Sequence, residues 1–370
     1  MIHYKFSREL YSDFSSTLQS RVNTYFKEQG VSRNANPSMW RKSAFAFCLY
    51  VGVYLVIILG GIQNIPLLFL LWALLGIGQA FIGTNVMHDV LHGSYSKSQQ
   101  VNKWMELFPL IIGVEPTTWK IQHNVLHHTY TNIEHADEDI EVKYLLRMTE
   151  NQPKKWFHRF QHIYVVILYS IPIIIWATAK DFIKMFKYRK LNLIDQDADF
   201  WKILAGITFR KAMFHLFLLG IPIFSLGIGA GWVILMFLTM LVITGLTLSL
   251  VFQTAHLVPD LGVIETNHPE IDENWMVHQL QTTTNYSTNS PFFSWFFGSL
   301  NFQVEHHLFP NICHVHYPKL SKIVKATTKE FGLPYHSQGS FGNAIVQHFN
   351  LLRLLGKYDK LPKAMMKQVV

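Results

Sequence analysis

Cysteine is nearly absent from this chain of 370 residues: Cys48 and Cys313 are the only two. That excludes a disulfide scaffold and a thiolate metal cluster. Cys48 stands in an apolar run and reads as filler. Charge is also scarce. Asp, Glu, Lys and Arg supply 15% of the residues, against about a quarter in soluble domains. From Ala212 to Pro318 there is no Lys or Arg at all; the 32 basic residues fall in four blocks, Lys5 to Lys42, Lys97 to Arg159, Lys180 to Lys211 and Lys319 to Lys367. No module sets basic residues among aromatics as nucleic-acid binders do, so no nucleic-acid partner is expected. The first 40 residues lack the apolar core of a cleavable signal peptide. Internal repeats, low-complexity tracts and a second globular domain are missing too.

Hydrophobic residues are plentiful, at 49% of the chain with 28 Phe. "AFAFCLYVGVYLVIILGG" (Ala44 to Gly61) and "PLLFLLWALLGIGQAFIGTNVM" (Pro66 to Met87) carry no charge. Each approaches the ~20 residues that cross a bilayer, and "IQN" between them leaves room only for a tight hairpin turn. "GWVILMFLTMLVITGLTLSLVF" (Gly231 to Phe252) is a third such run, preceded by "FHLFLLGIPIFSLG" (Phe214 to Gly227). The run "IYVVILYSIPIIIWATA" (Ile163 to Ala179) has Pro172 at its middle. Reading it as interfacial or re-entrant keeps the polar segments on either side of the later hairpin on one face of the membrane. "LFPLIIGV" (Leu107 to Val114) is too short to span. The expected fold is an all-α integral membrane protein with four transmembrane helices in two hairpins plus interfacial helices, and a cytosolic helical cap. One domain covers 1–370: an amphipathic cytosolic segment at 1–43, the first hairpin at 44–87, a cytosolic region at 88–211 that includes the 163–179 segment, the second hairpin at 212–252, and a cytosolic region at 253–370. Basic blocks beside apolar runs place the polar regions on the cytoplasmic side. In the first segment Leu10, Phe14, Leu18, Val22 and Phe26 recur every four residues. They predict a helix that lies on the membrane or packs on the protein itself.

The 19 histidines are unevenly spread. "HDVLH" sets His88 and His92 four apart, just past the second run. "HNVLHH" repeats that spacing with His123 and His127 and adds His128. "FQTAH" puts His256 at the end of the last run, and "QVEHH" pairs His306 with His307. Residues four apart share a helix face. Imidazole suits zinc, copper, iron and nickel. Structural zinc takes only four ligands, and eight histidines are too many for one ion. The residues therefore point to two metal ions in a nitrogen-rich site at the membrane surface, without choosing among iron, copper and zinc. His215, in an apolar run, reads as packing, as do His3 and His348. His135, His162, His278, His314 and His316 lie near the boxes or run ends without box spacing.

These boxes resemble those of the integral membrane fatty acid desaturases, H-x3/4-H, H-x2/3-H-H and [HQ]-x2-H-H. The resemblance runs from about Gln79 to His336 and takes in "WKIQHNVLHHTYTN", "LQTTTNYS" and "LNFQVEHHLFPNICHVHYPKL". Gln303, where other members carry His, resembles the front-end branch. The chain has no "HPGG" haem motif, so the likeness is to members without a fused cytochrome b5 domain. The resemblance implies His88, His92, His123, His127, His128, His306 and His307 as ligands of two iron ions, with His256 as the additional ligand between boxes two and three. It implies dioxygen as oxidant and a fatty acyl-lipid or acyl-CoA as substrate. It also implies a separate electron donor, a ferredoxin or a cytochrome b5-type protein with its reductase. A membrane location follows, expected to be the bacterial inner (plasma) membrane with its lipids around the chain.

The chemistry agrees with the composition. An unactivated methylene has neither an acidic proton nor a leaving group, so no side-chain base removes its hydrogen. A redox metal with dioxygen does, while the protein supplies ligands, orientation and exclusion of solvent. No catalytic residue beyond the di-iron centre is expected. Asp89, Asp137, Asp139, Asn285, Asn301, Gln303 and Glu305 are candidates to hold the outer ring nitrogens. Trp119, Trp295, Phe296 and Phe297 are candidates for the interface or the acyl tunnel. The function expected is introduction of a cis double bond. A hydroxylase on the same scaffold and a non-catalytic membrane metal-binding protein are the alternatives; the second would place polar residues within the spans.

Overall fold

The computed structural model describes residues 4–141, 144–194, 197–265 and 268–361. His3 and the end of the last basic block, Lys363 and Lys367, lie outside them. Among the described residues the chain is mostly helical, and its strands are two residues long. It divides into two compact units, one of Asn36–Ile121 with Ile167–Ser249, the other of Met1–Ala35, Gln122–Val166 and Leu250–Val370.

Five helices among the described residues are long and apolar enough to cross a membrane: Pro37–Leu59, Ile65–Leu91, Trp156–Lys190, Asp199–Ser225 and Ala230–His256. The all-α membrane architecture is as the sequence implies, but the count is five rather than four. The difference lies in Ile163 to Ala179. That stretch belongs to one helix of 35 residues instead of a separate dipping segment. Pro172 interrupts the helical bonding at Ile171 without ending the helix, because it opens a new turn in which the Ile175 amide bonds to the Ile171 carbonyl. A proline in a first turn sacrifices a donor that would have had no partner. The following helix starts at Asp199, well before the apolar run that marked it, and so draws Arg210 and Lys211 into its length.

Those cations are paired. Lys211 Nζ sits 2.5 Å from Asp181 Oδ2 and Arg210 2.5 Å from Glu115 Oε2. Asp181 also accepts from Thr118 Oγ1 at 2.6 Å and Trp176 Nε1 at 2.9 Å. Close helix approach in this unit uses glycine. A Cβ at Gly76 would stand 2.6 Å from the Met240 carbonyl oxygen, and one at Gly245 2.8 Å from that of Ser170. Small residues let apolar helices pack where lipid offers no hydrophobic drive. The "IQN" turn is as short as expected: one helix ends at Leu59, and the Asn64 side chain caps the next by accepting from the Leu67 amide. "LFPLIIGV" forms a short helix, Phe108–Ile112, stopped by Gly113 at φ 74°.

In the other unit the first long helix is Ser12–Gln29. Phe14, Leu18, Val22 and Phe26 are buried against Leu280, Val304, Leu308, Leu320 and Val324. Of the two sequence readings, packing on the protein itself is the one realised, and Leu10 is left exposed. The cluster includes Val304 and Leu308 of the helix Gln303–Leu308, so the segment bearing the third box is held by an apolar core. Helix Tyr317–Glu330 closes the cluster and is followed by Gly332 at φ 66°.

Candidate metal centre

The histidines of box two stand on a π-helix, Ile121–His127, not on the α-helix that four-residue spacing suggests. The His128 amide bonds to the His123 carbonyl, five residues back, at 3.0 Å. This wider turn brings both later rings to the first: His123 stacks on His127 at 5.3 Å and meets His128 edge-on at 4.7 Å. Such segments concentrate at functional sites. Box one also follows a π segment, Gly83–Met87, but there the His92 amide bonds to the His88 carbonyl in α fashion. The His88 and His92 rings are 4.5 Å apart, and Trp119 packs edge-on against both.

Six histidines converge within the unit that holds boxes two and three. Ring pairs from 4.3 Å, for His128 with His307, to 6.0 Å, for His123 with His306, link His123, His127, His128, His256, His306 and His307. All six are buried. His127, His256 and His307 each offer a ring nitrogen within 4.8 Å of the other two, as do His128, His306 and His307. A third group joins His123 and His127 to Asp139.

Hydrogen bonds identify which nitrogens face inward. His127 Nδ1 donates to Asp137 Oδ2 at 3.1 Å, with Asp139 Oδ2 at 3.6 Å. His256 Nδ1 donates to the Thr282 carbonyl at 3.2 Å, and His307 Nδ1 meets Gln279 Oε1 at 2.9 Å. The Nε2 atoms of these three rings are buried and make no hydrogen bond among the described residues. An unsatisfied buried acceptor is costly, and three side by side fit a cation that would bind them. Outward Nδ1–H groups held by carboxylate or carbonyl are the usual support of ligating imidazoles. Protonation agrees with this. Burial, then the neighbouring imidazoles, hold His307 well below the ordinary histidine range, so it is neutral. Burial opposes charge on His127 and is the largest single influence, but Asp137 and Asp139 together outweigh it and the net shift is upward. His127 is thus the more basic donor.

The other candidates are distributed as follows. Asp89 is buried beside His88, with Oδ1 4.0 Å from His88 Nδ1. Glu305, buried within box three, accepts from Asn285 Nδ2 and from the Tyr335 hydroxyl, each at 2.8 Å. Burial pushes its carboxyl up to about 7. Asn285 Oδ1 also receives the Val304 amide at the start of that helix. Asn301 bonds Ser287 and Ser294 and touches no box histidine by hydrogen bond. Gln303 is fully buried. Trp295 is half exposed, while Phe293, Phe297 and Phe341 form an aromatic cluster beside it.

Sequence reasoning overlooked Gln279, Thr131 and Tyr317, whose hydroxyl lies 3.2 Å from His306 Nδ1. Their only signal is proximity to the quoted box stretches. Five other histidines have main-chain or acidic partners: His278 with the Thr131 carbonyl, His348 with that of Leu257, His215 with that of Lys211, His316 with that of Asn34, and His135 with Glu141.

Known proteins resemble this chain over most of its length. The family model described as fatty acid desaturase matches residues 64–339, a range containing all eight box and span-end histidines. The chain is 33% identical over 341 residues to an sn-1 linoleoyl-lipid 6-desaturase of Arthrospira platensis, covering 92% of each. It is 32% identical over 356 residues to the sn-1 linoleoyl-lipid 6-desaturase of a Synechocystis strain, covering 93% of this chain and 96% of that one. An acyl-lipid (8-3)-desaturase of Physcomitrium patens is 32% identical over 355 residues, 93% of this chain and 72% of its own. With its histidine boxes, apolar helices and matched length, the chain belongs to the fatty acid desaturase family and is an oxidoreductase that unsaturates fatty acyl chains.

Proposed function

We propose that this protein is a di-iron, front-end type desaturase that inserts a cis double bond into an acyl chain carried on a membrane lipid. The observation that carries the reading is the convergence of the His127, His256 and His307 ring nitrogens, each with Nδ1 occupied and Nε2 facing its neighbours. The ligand set is His88, His92, His123, His127, His128, His256, His306 and His307, with box one assigned by its motif. Bound there, iron supplies the redox chemistry by which dioxygen goes to water as two hydrogens leave adjacent methylenes. The chain's own groups do the rest. Asp137, the Thr282 carbonyl and Gln279 orient the imidazoles, and burial of all six rings keeps bulk water from them.

The names of the relatives support a lipid-linked acyl substrate over a free acid. Reduction of one dioxygen to two waters takes four electrons, of which the acyl chain gives two. A ferredoxin or cytochrome b5-type protein, with its reductase, gives the others. The basic blocks flanking the helices support a plasma-membrane protein, bacterial in type, with its site toward the cytoplasm.

Two measurements test this. The protein co-expressed with a ferredoxin and its reductase should yield a new cis double bond in membrane lipids, located by mass spectrometry, and should purify with two irons per chain. His127→Ala should remove the product while the protein remains in the membrane. Unchanged yield from that variant, or active protein containing zinc alone, would overturn the assignment.

A further inference from the structure

We propose that Gln279 is a positioning residue that sets the tautomer of His307 and so presents its Nε2 to the metal. Gln279 is fully buried on the helix Trp275–Thr282, which carries no box histidine. Its amide nevertheless touches two boxes. Oε1 lies 2.9 Å from His307 Nδ1, and Nε2 lies 3.2 Å from the main-chain oxygen of His128.

The chemistry of the partners fixes the direction of both Gln279 bonds. A carbonyl oxygen only accepts, so the end of the amide facing His128 is the NH2 group. The Trp275 indole N–H, at 3.2 Å, donates to that same oxygen. The opposite end of the amide is therefore oxygen, which also only accepts. His307 Nδ1 must then carry the hydrogen. A second hydrogen on Nε2 would have no acceptor, since that atom makes no hydrogen bond among the described residues. His307 is thus neutral, with its lone pair on Nε2, and the tautomer is dictated by a main-chain carbonyl of box two acting through one glutamine. Thr131 adds to the same knot: its one hydroxyl hydrogen goes either to Gln279 Oε1 at 2.9 Å or to the His127 carbonyl at 2.7 Å, and the hydroxyl oxygen lies 3.3 Å from His307 Nδ1, where it accepts a share of the same ring hydrogen.

Asp137 does the corresponding work for His127, but with a negative charge. Gln279 does it without one. Two imidazoles of one group are thereby given different donor strengths.

The inference rests on the metal-binding reading above, and the test separates the two. Wild-type, Gln279→Leu and Gln279→Glu proteins of full length are purified in detergent and titrated with ferrous iron alone. Leucine keeps the bulk and removes the acceptor, so iron affinity should fall about 10–100-fold and the Mössbauer spectrum should change. Glutamate restores an acceptor. Its second oxygen loses the bond to the His128 carbonyl, which the Trp275 indole still donates to, so it should recover part of the lost affinity and move the reduction potential of the site to more negative values. Wild-type affinity with an unchanged spectrum in the leucine variant would overturn the proposal. An arm without variants covers the case in which both misfold. In zinc-loaded wild-type protein with isotopically labelled histidine, nuclear magnetic resonance should find the His307 hydrogen on Nδ1 and the metal on Nε2; the reverse tautomer would overturn it. Wild-type protein that binds no iron would instead refute the metal centre itself.

Discussion

At the scale of single residues, the site depends on histidines doing opposite jobs. His127, His256 and His307 leave Nε2 without a hydrogen bond among the described residues, whereas His278 and His348 are buried donors to main-chain carbonyls. Burial holds each of the latter two at about 4, below the ~6.5 of an unfolded chain. Their folded values are depressed, so the neutral form is favoured and their contribution is complete above about pH 6.5. It is lost as pH falls from there toward 4, by roughly 3 kcal/mol for each. The melting temperature in detergent should therefore drop between pH 7.5 and 5, and less steeply in His348→Asn, whose amide still donates but does not titrate. An equal slope in that variant would remove His348 from the account. Spacing made the box histidines legible in the sequence, because a metal needs several nitrogens in one place. Asp137 stood close enough to box two to be singled out. Gln279 and Tyr317 were less legible: they stand beside or within the quoted stretches, but they reach their partners only through tertiary folding, and residue type alone does not mark them.

At the scale of elements, two boxes with the same four-residue spacing have different backbones. His88 and His92 share an α turn, while His123, His127 and His128 ride a π turn. Spacing cannot tell these apart, since both bring residue i+4 near residue i, and only the π turn brings i+5 in as well. The segment Ile163 to Ala179 was read as interfacial or re-entrant for a different reason: an even number of spans keeps the polar regions on one face of the membrane, and Pro172 agreed with that. In the structure it lies within one apolar helix, Trp156–Lys190, which restarts at Pro172. Packing of these helices leads to a direct test. At Gly245 an added Cβ meets both Ile173 and the Ser170 carbonyl at 2.8 Å, while at Gly231 it meets nothing within 4 Å. Gly245→Val should cost about 1–3 kcal/mol or more and reduce the yield of folded protein. Gly231→Ala should melt as the parent does. Equal melting of the two variants would show that the helices do not approach as closely at Gly245.

At the scale of the whole molecule, composition carried most of the message. Low charge, clean apolar runs and clustered imidazole together specify a membrane-bound metalloenzyme, and the apolar side chains left exposed on the five helices, such as Leu59, Leu70, Ile167 and Phe224, suit a lipid solvent. Folding and metal should be linked, because ions held by ligands distant in sequence bind the native state alone. Iron at about a hundred times its dissociation constant adds about 2.7 kcal/mol. Chelation should thus lower the melting temperature measurably, and added ferrous iron should restore it; a melt indifferent to both would separate stability from the metal. The first helix bears on the order of events during synthesis. Phe14, Leu18, Val22 and Phe26 are made about 250 residues ahead of the surface that covers them, which comes from positions between Val277 and Val324. Until that later stretch is made, the apolar stripe has no native cover. The third box therefore acquires its packing only after both segments exist, and a metal bound there must enter later still.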